Sequence, residues 1–171
     1  TKIARHFVAD DPPPSLVAKL EAAWIASGGH LTRVAEALII APEAWDPTPR
    51  TFKTPYEFLI SSWRAIGGQP GAIEHLAPPL KAMGQQAFSP PSPKGWPEDA
   101  MTWAAPDAII KRMTWSEGFS AIVAADLDPN AIAAGALGAR LSDPVRKAVA
   151  RAESRQEALS ILLMSPEFQR R

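Results

Sequence analysis

Prolines and paired glycines divide this chain into short segments, and this division constrains the fold more than any other feature of the sequence. The chain has 18 prolines among 171 residues. Most of them fall where an apolar stripe begins or ends. Proline lacks a backbone N–H and breaks a helix from within, but it fits the first helical turn. Segments bounded in this way favour helices of moderate length joined by short loops.

The segments between these breaks carry apolar residues at helical spacing. One stripe covers residues 16–24 and ends at Gly28-Gly29, and a second covers residues 31–39 and ends at Pro42. Apolar residues three and four positions apart share one face of a helix. No segment alternates with period two between hairpin turns, so the sequence predicts no sheet.

Helix-start signals recur along the rest of the chain. Thr54-Pro55-Tyr56-Glu57 combines a cap, a proline at the first helical position and the glutamate of a capping box. Ser154-x-x-Glu157 opens the last clear helix, and Thr114-x-x-Glu117 predicts a break inside a long helix over residues 106–125. Asp128-Pro129 and Asp143-Pro144 each resemble a cap followed by a first helical residue. The sequence therefore predicts an all-α fold, an irregular multi-helix bundle of about eight or nine helices with one long Pro/Gly-rich loop.

The length of the chain predicts a single helical domain over residues 1–171. Ile3, Phe7 and Val8 lie at helical spacing, so the chain is expected to begin inside a helix, as a fragment of a longer protein would. Two hexapeptides, residues 38–43 and 162–167, are alike and both follow an amphipathic helix. They represent either a duplicated unit or a common way of ending a helix.

Composition disfavours several classes of function. Lys plus Arg and Asp plus Glu number 18 each, and this zero net charge argues against nucleic-acid binding. The absence of cysteine excludes disulfides and thiolate chemistry. His6, His30 and His75 lack metal-ligand spacing. No catalytic residue, metal or cofactor is predicted, and no apolar run is long enough to span a membrane.

The loop over residues 84–97 is the most distinctive segment, with two glycines, four prolines and two aromatic residues. A loop of this length in a compact domain usually has a function or is disordered, and its aromatic residues argue against disorder. Phe88 and Trp96 are expected to pack on helices. Gln85, Lys94 and the downstream Trp103 then line a shallow site, in which Lys94 meets an anion and a tryptophan stacks on a ring. The alternative is that the aromatic side chains only anchor the loop to the core.

Two further sets of charged residues have a structural and a functional interpretation. Arg112 lies in a mostly apolar helix, where its guanidinium can satisfy loop carbonyls, pair with a carboxylate or bind a ligand. Structural pairing is the favoured interpretation. The carboxylates Glu98, Asp99 and Asp107 follow the loop, where two of them could form an acid–base pair. For Asp99 and Asp107, a role as helix-start residues is the favoured interpretation.

Four segments in order carry a resemblance to a known family. They are Arg5-His6-Phe7-Val8 with Asp11-Pro12-Pro13; Lys53-Thr54-Pro55 running to Arg64-Ala65-Ile66-Gly67; Gly84-Gln85 through Lys94-Gly95-Trp96-Pro97 to Trp103 and Arg112; and Ser165-Pro166-Glu167-Phe168-Gln169-Arg170. Together they resemble the C-terminal part of the bacterial family known as domain of unknown function 1800. The resemblance implies a longer, exported protein, and hence a periplasmic or secreted location. It implies no mechanism.

Two functional hypotheses follow. The absence of a catalytic constellation beside an aromatic loop favours a non-catalytic helical module, which interacts with the rest of its own chain or with a protein partner. The alternative is part of a ligand-binding or hydrolytic site completed by upstream residues. In that case Gln85, Lys94, Trp96, Trp103 and Arg112 line the cleft.

Overall fold

The computed structural model describes residues 1–46, 48, 51–97 and 99–171, and this part of the chain is all-helical. It contains ten α-helices and no strands, apart from an isolated antiparallel bridge between Phe52 and Arg170, so the all-α prediction is confirmed. The helices are α1 (Lys2–Phe7), α2 (Pro14–Ala26), α3 (Leu31–Ile40), α4 (Pro55–Ala65), α5 (Ala77–Ala82), α6 (Ala100–Trp103), α7 (Pro106–Val123), α8 (Pro129–Leu137), α9 (Asp143–Arg151) and α10 (Arg155–Met164). None of these helices combines the length and the apolar character needed to cross a membrane.

The chain forms two compact units, Thr1–Thr51 and Phe52–Arg171. The first unit contains α1, α2, α3 and a 3₁₀ turn at Pro42–Trp45. Its α2 and α3 pack against each other. Its small core consists of Ala4, Leu16, Leu20, Val34 and Ala41.

The second unit is built around α10. Four residues of this helix, at positions 158, 159, 162 and 163, are buried, and the helix packs on α7, α8 and α9. Phe58 and Leu59 of α4 complete the centre of the core, with no exposed surface. A helix that buries residues on adjacent faces is expected at the middle of a bundle, with neighbours on several sides.

The predicted start of α4 is confirmed in detail. The N–H of Glu57 donates to Oγ1 of Thr54 at 3.3 Å, and Oε2 of Glu57 accepts from the N–H of Thr54 at 2.9 Å. This reciprocal pair satisfies two backbone donors that the first helical turn leaves free. The inward face of α4 includes Phe58, Leu59 and Ser62, whereas Tyr56 is exposed.

Two other boundary predictions were wrong. No break occurs at Thr114, because α7 continues from Pro106 to Val123. A serine or threonine acts as a cap only where the chain arrives in an extended conformation, and the helical residues before Thr114 prevent this. In α9 the cap is Ser142 rather than Asp143, with Oγ of Ser142 accepting from the N–H of Val145 at 3.4 Å.

The segment over residues 73–83 starts late, as its prolines indicate. A 3₁₀ turn at Ile73–His75 precedes α5. Gly84 then ends α5 with φ of +86°. The left-handed conformation lets the N–H of Gln85 reach the carbonyl of Leu80 at 2.8 Å, and only glycine adopts this conformation without strain.

Candidate functional site

The loop over residues 84–97 is held at its two ends. At its start, Oε1 of Gln85 accepts from the N–H of Tyr56 at 2.7 Å, so this side chain binds a free donor in the first turn of α4. At its end, Nε1 of Trp103 donates to the carbonyl of Pro97 at 2.8 Å, and the indole is buried. The expectation that Trp103 anchors the loop is confirmed.

The middle of the loop lies at the surface. All residues from 86 to 94 are exposed, including Lys94, whereas Trp96 is half-buried. The expectation that Phe88 packs on a helix was wrong, since its side chain is fully exposed and its φ is +58°. A non-glycine residue in this conformation turns the chain sharply, and here the turn keeps the ring away from the core.

Arg112 lies inside the second unit, with 1% of its surface exposed. Its Nη1 donates to Oε1 of Gln169 at 2.7 Å, and its Nη2 donates to the carbonyl of Lys53 at 2.6 Å. The guanidinium also lies over the rings of Phe52 and Phe58, at 4.7 and 5.1 Å from their centroids. The predicted structural pairing is therefore confirmed, including the contact with a loop carbonyl.

Gln169 links this arginine to two other segments. Its Nε2 donates to the carbonyl of Leu163 at 2.7 Å, near the end of α10. Its backbone carbonyl accepts from the N–H of Lys53 at 2.8 Å. Arg112, Gln169 and Lys53 thus form one buried polar cluster, which joins the middle of α7 to the segments before α4 and after α10.

Both cations of this cluster have perturbed acid–base equilibria. Burial lowers the pKa of Lys53 to about 8, with the positive charges of Arg140 and Arg112 adding to the effect and the Glu57 carboxylate opposing it. Burial also lowers the pKa of Arg112 to about 10, again opposed by Glu57. Nζ of Lys53 lies 4.1 Å from the centroid of the Phe168 ring, which partly compensates for lost hydration.

Among the described residues, no hydrogen bond, ion pair or ring contact joins any two of Gln85, Lys94, Trp96, Trp103 and Arg112. Gln85 and Trp103 hold the two ends of the loop by hydrogen bonds, and Arg112 belongs to the buried polar cluster. The common ligand site assigned to these five residues stays a prediction.

The carboxylates after the loop act as helix-start residues where they are described. Oδ1 of Asp99 accepts from the N–H of Thr102 at 2.9 Å, and Asp107 lies in the first turn of α7, paired with Lys111 at 3.1 Å. The interpretation as helix starts is confirmed for both, while Glu98 lies outside the described residues. In the described parts of the chain, no three histidine or acidic residues are placed to hold a metal ion.

An aromatic groove lies beside α7 and was not predicted. It has a volume of about 470 Å³, within the range of about 300–1,000 Å³ typical of ligand pockets. Ten residues line it: Trp63, Glu74, His75, Pro79, Thr114, Trp115, Gly118, Phe119, Ile122 and Val123. The signal in the sequence is the pair Trp115 and Phe119, which are four residues apart and therefore on one face of a helix.

The rings of the aromatic groove hold each other in fixed orientations. Trp115 lies nearly parallel to Phe119, with centroids 4.7 Å apart and an interplanar angle of 15°. Trp63 meets Phe119 edge to face at 4.9 Å, and His75 stacks on Trp63 at 5.9 Å. Offset-stacked and edge-to-face arrangements are the favoured geometries of aromatic pairs, so the wall is ordered before any ligand arrives.

One polar atom in this wall has no partner. The indole Nε1 of Trp63 is buried and makes no hydrogen bond to the described residues. Buried donors are nearly always paired with protein, water or ligand. Because this atom has essentially no accessible surface, the donor lies inside the ring wall and not at the open surface of the groove.

A second groove of about 470 Å³ lies between α7 and α10. It is lined by methionines, serines and two carboxylates, from Glu117 and Glu157. Glu157 is already engaged, because its Oε2 accepts from the N–H of Glu153 at 2.7 Å. This groove has no ring system.

These features define an all-helical protein with an aromatic groove and with its most buried cations used in internal contacts. The chain belongs to the family of proteins of unknown function designated DUF1800, whose profile matches residues 1–170. The resemblance found in the sequence is thereby confirmed over essentially the whole chain. No curated protein and no solved structure shows significant similarity to it.

Proposed function

We propose that the second unit is a non-catalytic binding module and that the aromatic groove is its recognition site. The observation that carries this proposal is the ring wall, with its stacked and edge-to-face pairs, around about 470 Å³ of open volume. A ligand with an apolar ring fits a lining of this kind.

The absence of reaction chemistry at the groove supports binding rather than turnover. The titratable residues that line it are Glu74 and His75, adjacent in sequence on an exposed 3₁₀ turn. Catalysis by general acid and base needs two groups held around a reacting atom, usually with shifted pKa values. The described residues with strongly lowered pKa values are instead Lys53 and Arg112, which belong to the buried polar cluster.

Gly118 allows a direct test of this proposal. It lines the groove on α7, and a Cβ built at this position meets no atom within 4 Å. Gly118→Leu therefore fills the groove without displacing the core. Gly135→Leu is the matched control, because Gly135 is a helical glycine of α8 with equally open surroundings.

The measurement is a titration with phenol, followed by the NMR signals of the tryptophan indole N–H groups. We expect saturable shifts of the Trp63 and Trp115 signals in the wild type and in Gly135→Leu. Gly118→Leu is expected to weaken binding by at least about tenfold, because the leucine side chain occupies apolar surface that the ligand contacts in the wild type. No saturable shift in the wild type, or equal binding by both variants, would show that the groove is not a binding site.

A second candidate function rests on the exposed loop. Phe88 combines a fully exposed ring with a positive φ, and such strain in a non-glycine residue tends to occur at functional positions. Here the loop, with Lys94, makes contacts with the rest of the protein's own chain or with a protein partner. Phe88→Ala is expected to leave thermal unfolding unchanged and to weaken any such complex in a pull-down with the full-length protein as bait. An equally strong complex would remove the case for the loop.

The location is part of the same proposal. The family resemblance supports a periplasmic or secreted bacterial protein. Fractionation of cells that express the full-length protein is expected to recover it outside the cytoplasm, and recovery with cytoplasmic markers would contradict this.

A further inference from the structure

We infer that the ligand of the aromatic groove is a small soluble organic cation of the trimethylammonium class. This inference rests on the proposed function and specifies the chemistry of its ligand. Three properties of the groove favour such a ligand: its aromatic rings, its charge and its hydrogen-bonding groups.

The ring faces favour a cation. The π faces of tryptophan and phenylalanine carry partial negative charge and attract cations, with tryptophan the strongest. Trp63, Trp115 and Phe119 all line the groove, and His75 extends the ring wall beside Trp63. Phe119 is buried and stacks on Trp115, and His75 stacks on Trp63, so the ring surface available to a positive group is the part of the half-buried Trp63 and Trp115 that remains open.

The charge of the groove points the same way. Glu74 is its one acidic residue, and no lysine or arginine is among the described residues that line it. Glu74 is exposed, so its carboxylate meets a ligand from the solvent side while the rings form the inner wall. A cation is attracted by both, whereas an anion is repelled by both.

The hydrogen-bonding groups select a methylated cation over a primary ammonium. A primary ammonium has three N–H donors and needs acceptors for them when it leaves water. The hydrogen-bonding side chains that line the groove are the Glu74 carboxylate, the Thr114 hydroxyl and the His75 imidazole, which stacks on Trp63. The apolar Pro79, Ile122 and Val123 lie beside them. A trimethylammonium group has no N–H to satisfy, and its methyl groups suit this apolar lining.

Choline is a soluble compound that carries this group. Its hydroxyl, two carbons from the nitrogen, can form a hydrogen bond with the Thr114 hydroxyl or the Glu74 carboxylate of the groove lining. Its neutral isostere, 3,3-dimethylbutan-1-ol, has the same shape and hydroxyl without the charge.

The experiment compares these two compounds by titrating the intact chain and following the Trp63 and Trp115 indole signals. We expect choline to bind at least about tenfold more tightly than the neutral alcohol, because ring faces and carboxylate act on the charge alone. Glu74→Gln is expected to reduce this preference by several-fold. Glu117→Gln is the control, since it removes a carboxylate from α7 in the second groove.

The outcomes separate this inference from the proposed function. Equal or tighter binding of the neutral alcohol, still blocked by Gly118→Leu, overturns the inference and leaves the aromatic groove as a binding site. No saturable response to choline, the alcohol or phenol overturns both. Binding to phosphatidylcholine vesicles without binding of free choline also contradicts the inference, because it assigns the trimethylammonium group to a lipid surface instead of a soluble ligand.

Discussion

Replacing Arg112 by methionine tests whether the buried polar cluster holds the second unit together. Methionine is close to arginine in length and fills the site with apolar atoms. It leaves Oε1 of Gln169 and the carbonyl of Lys53 without donors, where the wild type has bonds of 2.7 and 2.6 Å. Each buried acceptor left unsatisfied costs about 1–3 kcal/mol, and the loss at two acceptors is partly offset because a charge is no longer held out of water. We therefore expect Arg112→Met to lower the free energy of unfolding by about 3 kcal/mol.

The assay is urea unfolding at pH 7, followed by tryptophan fluorescence and by far-ultraviolet circular dichroism. Four of the six tryptophans, at positions 63, 96, 103 and 115, lie in the second unit, so fluorescence reports mainly on it. Lys111→Met is the matched control, because Lys111 precedes Arg112 on α7 and makes an exposed ion pair with Asp107. Such a pair contributes less than about 1 kcal/mol. If both variants unfold at the same urea concentration, Arg112 does not stabilise the unit and the reasoning is wrong.

Three further predictions concern the stability of the second unit. Burial lowers the pKa of Lys53 to about 8 in the folded chain, from an ordinary value of 10.5. Between these two values the unfolded chain binds more protons, so the cost of burying the charge is present in full below pH 8 and is lost as the pH rises to 10.5. The urea midpoint should therefore rise from pH 7 through 8.5 to 10 for the wild type and stay level for Lys53→Met. At pH 7 the variant should have a free energy of unfolding that is higher than that of the wild type by up to about 3 kcal/mol. A parallel rise of the midpoint in the variant would exclude Lys53 as the cause. Gly118→Ala and Gly135→Ala should each raise the free energy of unfolding, measured by calorimetry, by about 1 kcal/mol, because alanine favours a helix over glycine and neither added Cβ meets an atom within 4 Å. A lower free energy of unfolding in Gly118→Ala alone would mean that the groove wall is closed at this position. Ser116→Ala should be neutral or stabilising, because its buried hydroxyl has no partner, whereas Ser62→Ala should cost about 1 kcal/mol by removing a 2.8 Å bond to the Phe58 carbonyl; equal losses in the two variants would contradict this.

Helix starts were the most predictable part of the fold because their signals are local. Thr54 with Glu57, Asp128 with Pro129, and Ser154 each cap the helix that follows, as expected. In each case the preceding residues leave the chain extended, so the cap geometry is available. Thr114 carries the same spacing to Glu117 but lies within a continuous helix, and here the local signal was overridden by the apolar residues on either side of it.

The aromatic groove and the buried polar cluster were less predictable because they depend on residues far apart in the sequence. Arg112 was recognised as a boundary residue, yet its partners Lys53 and Gln169 lie more than fifty positions away in either direction. Trp63 and Trp115 are on different helices, and only packing brings both to one wall. Phe88 was misplaced for the opposite reason, since its apolar character suggested burial while its positive φ turned it outward.

The two similar hexapeptides show how much a local motif determines. Both α3 and α10 have ten residues, and each is followed by a residue in an extended conformation, Ala41 or Ser165. In each case a backbone carbonyl near the helix end accepts a hydrogen bond from the side-chain N–H of the residue six positions after it. Trp45 donates to Ile39 at 2.7 Å, and Gln169 donates to Leu163 at 2.7 Å.

An indole and an amide thus meet the same need, which is a donor for a carbonyl that the helix end leaves free. What differs is the environment of the capping residue. Trp45 is largely exposed, whereas Gln169 is 3% exposed and also accepts the bond from Arg112. The hexapeptide therefore specifies how the helix ends. Only the end of α10 is also part of the buried polar cluster, because Arg112 of α7 binds its capping residue Gln169.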